Sequence, residues 1–156
     1  RDEVYNLIRE AYQSEEEKWI ASALFAMGRS YDHCWDDNVL ARLHDPNPIV
    51  RAEAVRACGE LGLDDASPDM IAMLDDVPPV REAAIWALSQ IGGEGIDEAL
   101  YRLLQEPLMD SEFELIEKAL QNLSFTIGGI DYTMFSPPAE EDDGDLDLDL
   151  DDDWLS

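Results

Sequence analysis

The chain has 156 residues, with 37 Asp and Glu against 10 Lys and Arg, and its formal net charge is −27. A chain of this length buries a hydrophobic core without disulfides or metals, and its 46% hydrophobic content is typical of folded proteins. The negative charge repels phosphate backbones and anionic lipid surfaces, and no apolar run is long enough to cross a membrane. Composition therefore excludes direct nucleic-acid and membrane binding, and it favours a protein partner with a basic surface.

The first element predicted along the chain is an amphipathic helix over residues 2–14. Its apolar residues Val4, Leu7, Ile8 and Ala11 fall on one stripe. Since the helical pattern begins at once, we expect the chain to be a fragment of a longer protein. No secretory signal precedes the pattern, and two cysteines in so acidic a chain indicate a reducing, cytoplasmic location.

Internal repeats follow this first helix. Segments 50–62 and 80–92 superimpose without gaps and share the pattern V-R-x-x-A-(V/I)-x-A-x-x-x-(L/I)-G. Two weaker copies flank these segments. Residues 20–28 match residues 54–62 at a spacing of 34, and residues 116–124 match residues 84–92 at a spacing of 32. Four copies in one short chain predict a repeat architecture.

Each copy predicts a short helix A followed by a turn and a helix B. Ala54, Ala57, Cys58 and Leu61 form an apolar stripe with small residues that let a second helix approach closely. Glycine ends helix A in the left-handed conformation, at positions 28, 62 and 92. The predicted B helices are 36–44, 67–74 and 96–105, the second one capped by Ser67 before Pro68. The expected fold is an all-α solenoid of antiparallel helix pairs, with seven to eight helices in residues 1–135.

Segments 45–62 and 76–84 resemble HEAT repeats, and they look most like the short bacterial subtype first associated with phycobilisome bilin lyases. The resemblance covers residues 2–124. It implies a protein-binding scaffold or adaptor rather than an enzyme, since enzymes are a minority among such repeats. A bilin-lyase-like enzyme that handles a chromophore remains one alternative, and an acidic nucleic-acid mimic that occupies basic proteins is another.

The residues argue against two enzyme families that are built from HEAT-like repeats. Deoxyhypusine hydroxylases bind di-iron through His-Glu pairs, but His33 precedes Cys34 and His44 precedes Asp45. DNA glycosylases of this kind need a cationic groove, which the composition contradicts. Cys58 lies on the apolar stripe and is predicted to be a buried structural thiol, so we expect no catalytic residue, no metal and no cofactor.

Arg51 and Arg81 occupy identical repeat positions. We expect each to pair with an Asp of an adjacent turn, such as Asp45 or Asp75, so that they form a structural ladder together with the turn glycines Gly62 and Gly92. The first and last copies depart from this pattern, with Glu17 and Phe113 at the matching positions, as terminal repeats do.

Candidate partner-binding residues follow from the B helices. The predicted core comprises Leu40, Leu43, His44, Met70, Met73, Leu74, Leu100, Leu103 and Leu104. This leaves the remaining positions to solvent, and it makes Arg42, Ile71, Tyr101 and Arg102 candidate contacts. Trp86 lies outside the helix A stripe and is a further candidate, whereas Trp19 and Trp35 are predicted to be core or end-cap residues.

The C-terminal part breaks the repeat. Residues 125–135 predict a short strand or an irregular cap over the last helix. An acidic tail, 136–156, follows: residues 139–156 contain ten acids and no base, which leaves 27 acids and 10 bases upstream. Acids alternate there with apolar residues, so we expect the tail to be a second, electrostatic contact element with apolar anchors at Leu146, Leu148, Leu150 and Trp154.

Overall fold

The computed structural model describes the backbone of residues 1–128 and the side chains of residues 1–124. This part is helical throughout, with no strand. Its eight α-helices are α1 Asp2–Tyr12, α2 Glu17–Ser30, α3 Asp36–Leu40, α4 Pro48–Leu61, α5 Ser67–Ala72, α6 Pro78–Ile91, α7 Ile96–Leu103 and α8 Asp110–Gly128. Three 3₁₀ turns complete it, at His33–Trp35, Asp64–Ala66 and Met73–Asp75. The predicted all-α fold of seven to eight helices is confirmed.

Contacts divide the chain into two units, Arg1–Asn122 and Leu123–Ser156. Within the first unit, α1 packs on α2, α2 on α4, and α4 on α6. The short helices α3 and α5 pack on the long helix that follows each of them. Long and short helices therefore alternate as the repeat pattern predicted, and the core lies between them. The predicted boundary between residues 135 and 136 lies outside the described residues.

The starts and ends of the long helices have simple local causes. Asn47 caps α4, because its side-chain oxygen accepts hydrogen bonds from the N–H groups of Ile49 and Val50 at 2.8 and 3.1 Å. Proline occupies the first turn of α4 and of α6, where a missing N–H costs nothing. At the other end Gly62 is left-handed, with φ 69° and ψ 38°, while Gly92 has φ 72° with an extended ψ of −178°.

Gly28 does not end its helix, and that prediction is wrong. It lies inside α2, which instead ends at left-handed Tyr31, with φ 54°. A Cβ added to Gly28 would lie 3.0 Å from the Cα of Ala57, so the glycine is there to let two helices approach. The first copy therefore aligns at a spacing of 31 residues, which matches the starts of α2 and α4 at Glu17 and Pro48.

Gly59 makes the next contact of the same kind. A Cβ there would lie 2.9 Å from the Cα of Ala87 and 2.8 Å from the ring of Trp86. With the corrected spacing, the first-repeat counterpart of Arg51 is buried Ile20 and not Glu17. The long helices thus meet along a seam of small residues, which we call the A seam: Gly28 against Ala57, and Gly59 against Ala87.

The predicted helix A stripe is buried as expected, with Ala54 and Cys58 fully inaccessible. Burial raises the pKa of the Cys58 thiol to about 12, so this cysteine is an unreactive core residue. Trp35, predicted to be a core or end-cap residue, is buried at 2% exposure, whereas Trp19, for which the same prediction was made, is 50% exposed and is not a core residue. Trp19 lies in the first turn of α2, where the repeat pattern carries no information about its partner.

Three further local predictions need correction. His44 is exposed rather than buried, because α3 ends at Leu40 and the following turn carries His44 away from the core stripe. Ser67 does not cap α5, since the turn Asp64–Ala66 runs directly into the helix and Ala66 holds the cap position. Helix α8 continues through Gly128, where a strand or irregular cap was predicted from Phe125. β-Branched residues cost a helix less than about 1 kcal/mol each, too little to end it.

Candidate protein-interaction surface

Arg51 holds two successive repeat turns together. Its Nε and Nη2 donate to both carboxylate oxygens of Asp76, at 3.1 and 2.8 Å. Its Nη1 donates to the backbone carbonyls of Asp45 and Pro46, at 2.9 and 3.1 Å. This two-pronged pairing holds the pKa of Asp76 below its usual range. Arg51 forms an ion pair at the repeat turn, but its acid is Asp76 rather than the predicted Asp45 or Asp75, and Asp45 contributes only its backbone carbonyl.

Arg81 repeats the arrangement one repeat later. Its Nε donates to the carbonyl of Leu74 at 2.9 Å, and its Nη1 donates to Glu112 at 3.2 Å. The Glu112 side chain is only 4% exposed, and its other oxygen accepts the N–H of Met109 at 3.0 Å. The acid of the second step is therefore a helix residue of α8 rather than the predicted Asp75.

The two arginines are consumed by these structural contacts. Each connects the turn before its own helix to an acid of the next repeat, so neither projects toward solvent as an anion-binding group. Phe113 stands at the equivalent position of α8 and is 44% exposed, so the ladder ends there within the described residues. Gly62 and Gly92 turn the chain, and a Cβ added to either glycine would have no atom within 4 Å.

The candidates on the B side differ in how free they are. Arg42 donates to Asp45 at 2.8 Å and its guanidinium lies 4.8 Å from the centre of the Tyr12 ring, so it is committed to the fold. Ile71 is half-buried. Tyr101, at 57% exposure, and Arg102 are open to solvent on α7. Tyr101 and Arg102 are the B-side residues best placed for contact with another molecule.

Trp86 is half-buried and lies between two surface depressions. One, of about 400 Å³, runs between α4 and α6 and is lined mainly by Ile49, Pro79, Glu82 and Trp86. The other, of about 240 Å³, runs between α6 and α8 and is lined by Trp86, Leu115 and Lys118, among others. Leu115 contributes to both. The two depressions thus form one continuous surface, which we call the Trp86 groove.

The groove is apolar at its centre and charged at its margins. Ile49 is apolar and 53% exposed. The Arg56 Nε lies 3.6 Å from the Glu53 Oε1, so the charges of Arg56 and Glu53 offset each other. Glu82 and Lys118 have no ion-pair partner among the described residues. The depression between α4 and α6 therefore carries one unpaired acid, Glu82 of α6, and the depression between α6 and α8 carries one base, Lys118 of α8. Sequence reasoning found Trp86 but missed Ile49 and Leu115, because only the packing of neighbouring repeats places them beside it.

A polar cluster lies around Asp32 at the N-terminal end. The N–H of Cys34 and the hydroxyl of Tyr5 both donate to Asp32, at 2.9 and 2.7 Å. The Cys34 N–H is the main cause that lowers the pKa of Asp32 to about 2, and the Tyr5 hydroxyl adds to it. Partial desolvation and the nearby Asp32 carboxylate raise the pKa of the Cys34 thiol, which opposes formation of a nucleophilic thiolate.

No group of three or more His, Cys, Asp or Glu side chains in residues 1–124 is arranged to hold a metal ion. Among the described helices, none has the length and apolar character needed to span a membrane. The predicted tail anchors Leu146, Leu148, Leu150 and Trp154 lie outside the described residues. The surfaces that remain as candidates are the Trp86 groove and the exposed end of α7.

Comparison with known proteins agrees with this architecture. The family model for HEAT repeats matches residues 37–124, which contain three of the long helices and the short helices between them. HEAT repeats generally mediate protein–protein interactions. No curated protein matches the chain. Because the match covers more than half of the 156 residues, the chain belongs to the HEAT repeat family.

Proposed function

We propose that this chain is a protein-interaction scaffold or adaptor, with its repeats as the main binding surface and its acidic tail as a second contact element. The observation that carries the proposal is the Trp86 groove, an apolar surface that runs across three neighbouring long helices. Contiguous exposed apolar surface with a polar margin is typical of protein interaction sites.

Charge supports a basic partner for both elements. The tail carries ten acids and no base within 139–156. In the helical part most arginines already face a carboxylate, while many acids, including Glu82, have no such partner. An excess of unpaired negative charge accelerates association with a positively charged surface, and added salt weakens this attraction.

A pull-down with the full chain and with a chain lacking 139–156, repeated across salt concentrations, tests this proposal. We expect bound proteins to be lost at higher salt, and to be lost sooner without the tail. Capture that is insensitive to both salt and truncation would contradict the role of the tail. Specific displacement of the bound proteins by duplex DNA would instead support the acidic nucleic-acid mimic.

A further inference from the structure

The Trp86 groove is a rigid feature and not a loosely placed side chain. The six-membered ring of Trp86 packs where Gly59 lacks a Cβ, since an added Cβ would lie 2.8 Å from the ring. The same glycine lets α4 and α6 meet along the A seam. Trp86 is therefore fixed by the packing of the repeats, while its remaining surface lines both depressions.

The indole of Trp86 also has unused hydrogen-bonding capacity. No described residue accepts a hydrogen bond from its N–H, and the atom is not sealed from solvent in the way the Trp35 N–H is. A tryptophan that offers one apolar face and one free donor is the kind of residue that dominates interface energies.

The geometry limits what fits the groove. The depressions lie in successive spaces between packed helices, and packed helices are about 8–10 Å apart. Two apolar side chains that fill both depressions must therefore be about 10 Å apart. Residues seven positions apart on an α-helix are separated by roughly 10.5 Å along its axis, so they match this distance. Both depressions open to the surface, which suits side chains from a partner better than an enclosed small molecule.

The charge at the margins sets the polarity of the occupant. Glu53 of α4 is offset by Arg56, whereas Glu82 of α6 has no ion-pair partner among residues 1–124; the base Lys118 lines only the other depression, between α6 and α8. The chain as a whole carries −27. An occupant that presents Lys or Arg to Glu82 gains a favourable pair and is attracted from a distance by the net charge.

We propose that the Trp86 groove binds a basic amphipathic helix of a partner protein, with two large apolar side chains seven residues apart and a Lys or Arg facing Glu82. This inference rests on the proposed interaction function and specifies its site and the chemistry of its partner. Helix-in-groove recognition of this kind uses apolar anchors on one helical face.

The probe for a test is a short synthetic helix of alanine and lysine with two leucines seven residues apart. Matched controls carry the leucines at adjacent positions, carry alanine in place of both leucines, or carry glutamate in place of lysine. Binding to the full chain is measured by calorimetry at physiological salt. We expect the first peptide to bind at least about tenfold more tightly than each control.

Variants of the chain localise the site. Trp86→Ala and Ile49→Glu should each weaken binding by about tenfold, and Glu82→Lys should weaken the lysine peptide and restore binding of the glutamate peptide. Ile49 is 53% exposed and Glu82 is only half-buried, so their variants keep the test informative if Trp86→Ala unfolds. Trp19→Ala, which removes an exposed tryptophan outside the groove, should leave binding unchanged.

Equal binding of the peptides with seven-residue and adjacent leucines would overturn the inference. So would binding that survives Ile49→Glu and Glu82→Lys but is lost in Tyr101→Ala, and in that case the interaction function would stand with its site on α7. Absence of peptide binding beside salt-sensitive capture of proteins in the pull-down would refute the helix-binding groove alone, whereas failure of both experiments would refute the scaffold proposal itself.

Discussion

The N-terminal end and the central repeats share one helix-pair plan but are stabilised by different contacts. At the N-terminal end, the Tyr5 and Trp35 rings lie 5.1 Å apart, and the guanidinium groups of Arg1 and Arg9 lie over them at 4.8 and 5.4 Å. In the central repeats, Arg51 and Arg81 pair instead with buried or half-buried acids. Aromatic packing at one end thus replaces the arginine ladder of the middle.

The difference shows which part of the repeat is interchangeable. Both regions keep the A seam, with Gly28 on Ala57 and Gly59 on Ala87. The seam sets the distance between helices and tolerates only small residues, whereas the turns need only some attractive contact between neighbours. We expect substitutions in the two regions to differ accordingly in size and in their response to pH.

The largest effect should come from Trp35→Ala. Loss of this ring, 2% exposed, removes most of the aromatic packing at the N-terminal end and should lower the free energy of unfolding by about 4 kcal/mol. Trp35→Phe should cost much less, because the Trp35 N–H makes no hydrogen bond in the described part and the ring contact is kept. Urea denaturation followed by circular dichroism measures both. Equal losses for the two variants would argue against aromatic packing as the main contribution.

Arg81→Met should be the next largest. It leaves the buried carboxylate of Glu112 without its cation and should cost about 3 kcal/mol of unfolding free energy at neutral pH. The matched control is Arg102→Met on exposed α7, which should change stability by less than about 0.5 kcal/mol. Adding Glu112→Gln to Arg81→Met should recover part of the loss. If the double variant were as unstable as the single one, the charge of Glu112 would not be the cause.

Gly59→Ala tests the seam that the two regions share. The new Cβ would lie 2.9 Å from the Cα of Ala87, so the helices must separate. This should lower the free energy of unfolding, measured by urea denaturation, by about 2 kcal/mol. Gly28→Ala should cost slightly less, since its nearest obstacle, at 2.7 Å, is the flexible end of Glu60. Gly62→Ala meets no atom within 4 Å and should show only the left-handed strain, about 1 kcal/mol. A larger effect at Gly62 than at Gly59 would reverse this interpretation.

The smallest expected effect is on pH dependence. The pKa of Asp32 is lowered to about 2 and that of Asp76 is lowered by Arg51, so both carboxylates stabilise the fold at neutral pH. This stability is present above the unfolded carboxyl pKa, near 3.8, and is lost as pH falls through each folded value. Between pH 5 and pH 2 the melting temperature should therefore fall less steeply with decreasing pH in Asp76→Asn and in Asp32→Asn than in the unchanged chain.

Salt separates the two carboxylates. Asp76 depends on a cation, so its contribution should shrink in 1 M NaCl, while Asp32 depends first on the N–H of Cys34 and should change less. Equal salt sensitivity of the two variants would contradict the proposed difference in chemistry between the N-terminal end and the central repeats.

The sequence predicted the central repeats well because their residues there have one plausible role each. The pattern around Arg51 and Arg81 placed both arginines correctly at the repeat turns, and the buried stripe through Ala54 and Cys58 is confirmed. The acids were misassigned, since several lie within one helical turn of each other and only the folded geometry brings Asp76 and Glu112 within reach.

The first repeat was harder to predict because its residues are ambiguous. Glycine serves both as a helix terminator and as a packing residue, so Gly28 was aligned with Gly62 when its structural counterpart is Gly59. Tyr31 holds the left-handed position that glycine marks elsewhere. The Trp86 groove was out of reach for another reason: it combines side chains from three helices, and their relative placement is not written in any local pattern.

The arginine ladder has a consequence for how such a chain changes during evolution. Each arginine reaches only the turn before its own helix and an acid of the following repeat. A whole repeat could therefore be duplicated or deleted between Arg51 and Arg81 without loss of a partner, because the new arginine would meet the acid that the old one left. Phe113 replaces the arginine at the equivalent position of α8, so repeats are added with the least loss of contacts in the middle of the array.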